Sequence, residues 1–73
     1  MKFPTTKYGL LKADPRGAHV VLVIDGRALL GTVTGAAYDP AIGSFRFSVR
    51  HFNGEPWPLE PPVSAVDVLE RES

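Results

Sequence analysis

Ser44-Phe45-Arg46-Phe47-Ser48-Val49-Arg50-His51 decides the fold, because its apolar residues fall on every second position. A period of two puts Phe45, Phe47, Val49 and His51 on one face of an extended strand and the serines and arginines on the other. The aromatic face predicts a half-buried strand laid over a core. Downstream, Asn53-Gly54 suits a hairpin turn and leads into Glu55-Pro56-Trp57-Pro58-Leu59. Pro56 and Pro58 remove donors from one side, the mark of a blunted edge strand. Two registers are open. A two-residue turn sets Trp57 opposite Arg50 on the outer face, whereas a three-residue turn with a glycine bulge sets Trp57 opposite Val49 and Leu59 opposite Phe47, both in the core. Burying a large aromatic is worth about 1.5–3 kcal/mol, against about 0.5–1 kcal/mol for an exposed cation–π contact, and this favours the bulged register.

Upstream, His19-Val20-Val21-Leu22-Val23-Ile24 is a continuous apolar run that ends at Asp25-Gly26, a dipeptide made for a tight turn with positive φ. A strand, a turn and a second strand from Arg27 to about Thr34 follow, with Leu29 and Val33 on one face. Gly31 between them allows a bend or a close backbone approach, and Gly35 ends or kinks the strand. Asp39-Pro40-Ala41-Ile42-Gly43 is a loop. After Glu60-Pro61-Pro62 turns the chain, Val63-Ser64-Ala65 fits one helical turn and Val66-Asp67-Val68-Leu69 a last short strand. Lys7-Tyr8-Gly9-Leu10-Leu11 adds a short strand or wraps the base of the barrel. Because the run 20–24 lacks polar alternation, both of its faces seek cover, which predicts a homo-oligomer, most simply a symmetric dimer.

The chain is 73 residues long, a single domain near the lower limit for a self-sufficient core. Cys 0 excludes a disulfide framework and a zinc-thiolate site as staples. No apolar run approaches the roughly 18 residues of a membrane span, and the N-terminus lacks a signal-peptide stretch, so a cytoplasmic location without membrane contact is expected. The formal net charge is +0, which implies no whole-surface attraction to polyanions. Its distribution is uneven: residues 1–50 hold seven Lys/Arg against three acids, and residues 51–73 hold one against five. Folding that mixes the halves cancels this field; folding that separates them gives a basic face opposite an acidic edge.

The short strands, tight turns, proline-rich break and closing segment 62–69 resemble the SH3-like small barrels. Asp25-Gly26-Arg27-Ala28-Leu29-Leu30-Gly31-Thr32-Val33 resembles the strand-turn-strand signature of Sm-like and KOW modules. Gly31-Thr32-Val33-Thr34-Gly35 and Pro62-Val63 through Leu69-Glu70-Arg71 are similar to the scaffold of the plasmid-type dihydrofolate reductase, which works as a tetramer. Where that family has its Val-Gln-Ile-Tyr strand, this chain has Trp57-Pro58-Leu59-Glu60-Pro61, so no catalytic residue carries over. The resemblance implies an all-β fold, a five-stranded SH3-like barrel with a short helical turn before the last strand.

No nucleophile and base stand at a catalytic spacing. His19 and His51, without cysteine and at no helical spacing, make a weak metal signal, and no cofactor is expected. The reading is therefore a non-enzymatic module that binds a macromolecule, with a protein ligand ahead of nucleic acid and an oligomeric small-molecule scaffold third. A protein would use an exposed aromatic groove of Tyr8, Tyr38 and Trp57. Nucleic acid would use Arg46 and Arg50, expected about 7 Å apart on the outer face of the third strand, with Phe52 and Tyr38 beside them.

Overall fold

The computed structural model describes residues 2–6 and 10–69. Within them the protein is all-β. Four antiparallel strands, β1 (His19–Ile24), β2 (Arg27–Asp39), β3 (Ser44–Arg50) and β4 (Asp67–Val68), form one sheet in the order β3-β2-β1-β4. Its helical content is a single 3₁₀ turn, Val63–Ala65, directly before β4 as expected.

Asp25-Gly26 makes the two-residue hairpin between β1 and β2. Ile24 pairs with Arg27, and φ is 50° at Asp25 and 76° at Gly26, the positive values that a type I′ turn needs. β2 continues past its expected end. It does not stop at Gly35 but slips register between Val33 and Gly35, with Thr34 as the extra residue, and then pairs with β3 as far as Asp39. This bulge shifts the parity by one. Val33, opposite Val49, faces the core, and after the extra residue Ala36 and Tyr38 share a face with Phe47 and Phe45.

Beyond β3 the chain adopts the bulged turn. His51 N donates to Glu55 O at 2.7 Å, Gly54 N to His51 O at 2.8 Å, and Trp57 N to Val49 O at 2.9 Å, so Trp57 lies opposite Val49. The expected pairing of Leu59 with Phe47 does not form. Phe47 N donates instead to Pro61 O, and Arg46 bridges Pro62, because Pro58 and Leu59 bend out and shift the register by two. Segment 55–62 thus meets β3 at two isolated bridges, Arg50 with Pro56 and Arg46 with Pro62, and not along a ladder. Its prolines cannot supply the missing donors. The five-stranded barrel is accordingly not formed as such: the ladder has four strands and its sheet does not close.

One face of the sheet carries the core, made of Val20, Leu22, Val33, Phe47, Val49, Trp57, Val63 and Val66. Phe3 caps it, its ring meeting Phe47 edge-on at 5.5 Å. Gly31 marks a close approach, since a Cβ there would lie 2.5 Å from Arg50 O, 2.7 Å from Val49 Cγ1 and 2.8 Å from Trp57 Nε1. The indole fills the space this glycine leaves, and its Nε1 donates to Leu30 O at 3.3 Å. Among the described residues no buried side-chain polar atom lacks a partner.

Candidate binding face

With Val20 and Leu22 committed to the core, the pleat turns His19, Val21 and Val23 to the other side of β1. Their partners on β2 are Thr32, Leu30 and Ala28. Paired residues share a face, so the six form one surface on the outside of the sheet, apolar at Val21, Val23, Ala28 and Leu30. Val23 is 68% exposed and Leu30 42%. Phe52, 59% exposed, projects from the turn after β3 and meets the His19 ring edge-on at 5.4 Å. Reaching His19 from beyond β3 carries it across β2. Between it and Ala28–Leu30 lies a cleft of about 460 Å³ whose lip includes His51, Asn53 and Glu55.

Among the described residues three ion pairs engage charged side chains with one another. Arg46 Nε donates to Asp39 Oδ2 at 2.8 Å and its NH1 to Glu60 O at 2.9 Å. This guanidinium, with the Ala41 amide second, holds the Asp39 carboxyl below the usual carboxylate range. Arg16 grips Asp14 through its side chain, with contacts of 2.6 and 3.0 Å, and through its own amide, lowering the Asp14 pKa to about 2. Lys2 meets Asp67 at 3.3 Å, joining the basic and acidic parts of the chain. Among the described residues no group of three or more His, Cys, Asp or Glu could hold a metal, and no helix is long and apolar enough to cross a membrane.

The candidates chosen from sequence therefore separate. Trp57 is only 6% exposed, packed under Gly31, and is part of the core and not of a groove. Tyr8 lies outside the described residues. Tyr38 is half-exposed but leans on Phe45, with ring centroids 5.4 Å apart, near the far end of β2 from Phe52. Arg46 and Arg50 stand four residues apart on β3, about 13 Å along a strand and not about 7 Å. Arg46 is held by Asp39 and Glu60, while Arg50 is exposed and donates to Gly54 O at 2.8 Å. Leu30 was not among the candidates. Its signal was the Leu29-Leu30 pair, which in a strand must send one leucine outward, opposite the unalternating run 20–24. Comparison of the chain with protein-family models, curated proteins and solved structures finds no match to any of them.

Proposed function

We propose that this protein is a non-enzymatic SH3-like module that acts by binding protein through the outer face of β1 and β2, and that its simplest ligand is a second copy of itself. The observation that carries this reading is the apolar surface of Val23, Ala28, Leu30 and Phe52, all exposed, with half-buried Val21 on the same face. Exposed apolar patches of this kind mark association sites. A chain of net charge +0 meets its own copy without long-range repulsion. The SH3-like arrangement is supported by segment 55–62, which follows β3 where a further strand would run, and by the 3₁₀ turn that hands the chain to β4.

Sedimentation from low to high micromolar concentration tests the proposal. A concentration-dependent dimer is expected, and V23K/L30K should make it monomeric without changing the circular dichroism, since neither side chain belongs to the core. A monomer throughout would contradict it. The nucleic-acid reading retains Arg50 beside Phe52, and binding of single strands with a steep salt dependence would support it over the protein reading.

A further inference from the structure

The second half of β2 has a partner on one side only. Val33 N donates to Ala18 O at 2.9 Å and Val33 O accepts from Gly17 N at 2.8 Å, so Val33 directs both main-chain groups away from β3. Val49 O and Phe47 N likewise point to segment 55–62. The pairs Val33–Val49 and Ala36–Phe47 are therefore the non-hydrogen-bonded rungs of the β2–β3 ladder, and Tyr38–Phe45 is the next. It follows that Ala36 and Tyr38 turn their N–H and C=O groups to the edge that Val33 shares with Gly17 and Ala18. β1 pairs only with residues 27–32, so it does not cover them. Among the described residues these four groups have no partner.

A cleft of about 520 Å³ lies beside this edge, lined on one side by Thr34, Gly35, Ala36 and Phe45 and on the other by Leu11 and the turn Asp14–Arg16. We propose that this edge is a docking site for an extended peptide of a partner protein, which adds to the sheet at Ala36 and Tyr38 and places an apolar side chain in the cleft over Phe45. The exposed groups ask for a main chain in strand conformation, with donors and acceptors repeating every second residue. Leu11, Pro15 and Phe45 ask for an apolar side chain. The neighbouring charges are already paired, Asp14 with Arg16 and Asp39 with Arg46, so recognition is by backbone and shape, not by charge. Edge strands are commonly guarded by lysine, proline or a covering loop, and Thr34-Gly35-Ala36-Ala37-Tyr38 carries neither residue. The wall formed by residues 11–16 favours a single extended chain over a second folded copy, whose own wall would have to enter the same space.

The site is distinct from the outer face of β1 and β2, and each stands without the other. The test is selection of phage-displayed random dodecapeptides on the immobilised full chain, followed by synthesis of an enriched peptide with each amide N-methylated in turn. Enriched peptides should have apolar residues at alternate positions, and methylation of alternate amides should weaken binding about tenfold or more while the intervening amides tolerate it. A36P, which removes an edge donor but no ladder bond, should weaken binding similarly; V23K/L30K should leave it unchanged. The N-methyl scan stands even if A36P does not fold. No enrichment over a blank surface, or binding indifferent to N-methylation, would overturn the proposal. So would concentration-dependent protection of the Ala36 and Tyr38 amides in the protein alone, which would assign the edge to a second copy.

Discussion

β2 is one strand with two unlike halves. From Arg27 to Val33 it is paired along one edge with β1 and then Ala18, β3 joins on the other edge at Thr32 and Val33, and Gly31 sits against the Trp57 indole with no room for a methyl group. From Gly35 to Asp39 it keeps β3 alone, and the space over Gly35 is empty to 4 Å. The bulge at Thr34 separates the two. The contrast teaches that an unbroken strand can carry a core in one half and a recognition edge in the other, provided its neighbour stops short. Here β1 begins only at His19, opposite Thr32, and so spans the first half alone.

Glycine substitutions break the comparison most strongly. G31A should destabilise the protein by about 1–3 kcal/mol, toward the upper end because the nearest atom is a backbone carbonyl that cannot swing away. G35A meets nothing and has no positive φ, so it should be neutral or stabilise by about 0.4–1 kcal/mol through loss of unfolded-state freedom. Urea unfolding of the two variants reads both. Equal effects would mean that the halves are packed alike.

A smaller effect comes from the acids flanking the open half. Asp14 titrates at about 2 in the folded protein against 3.8 for the unperturbed group, and Asp39 is lowered in the same sense. A depressed carboxylate pKa contributes stability that is present above the unfolded value and lost as pH falls through the folded one. Stability should therefore decline between about pH 4 and pH 2, and D14N should flatten that decline. The Asp14–Arg16 pair is exposed and the Asp39–Arg46 pair only partly buried, so the slope is shallow and salt should reduce it further. Unchanged acid titration in D14N would show that the Arg16 fork does not persist in solution.

Local chemistry was legible in the sequence; long-range partnership was not. Asp25-Gly26 specifies its turn through backbone conformation alone, and Gly31 announces a close approach wherever it lies. Trp57 follows from area: its indole has more to gain in the core than beside Arg50. The path of β2 through Gly35 was open because a glycine that kinks a strand and one that ends it look alike until the register with β3 is known. Arg46 has the outward parity that the alternation of β3 requires, but Asp39, a turn residue by sequence, uses one oxygen for the Ala41 amide and the other for that guanidinium. Leu59 was misplaced for a similar reason. Four prolines between residues 56 and 62 leave too few donors to hold a ladder in step, and the chain bends at Pro58 and Leu59.

Amide hydrogen exchange, resolved residue by residue in the free protein at low concentration, tests the division of β2 most directly. Unpaired edge amides exchange quickly while ladder amides are slowed by the opening equilibrium. Slow exchange is expected at Val33, Gly35 and Ala37 and fast exchange at Ala36 and Tyr38, an alternation that begins only after the bulge. Uniform protection from residue 33 to 39 would contradict it, because the edge would then be covered and β2 would have no open half.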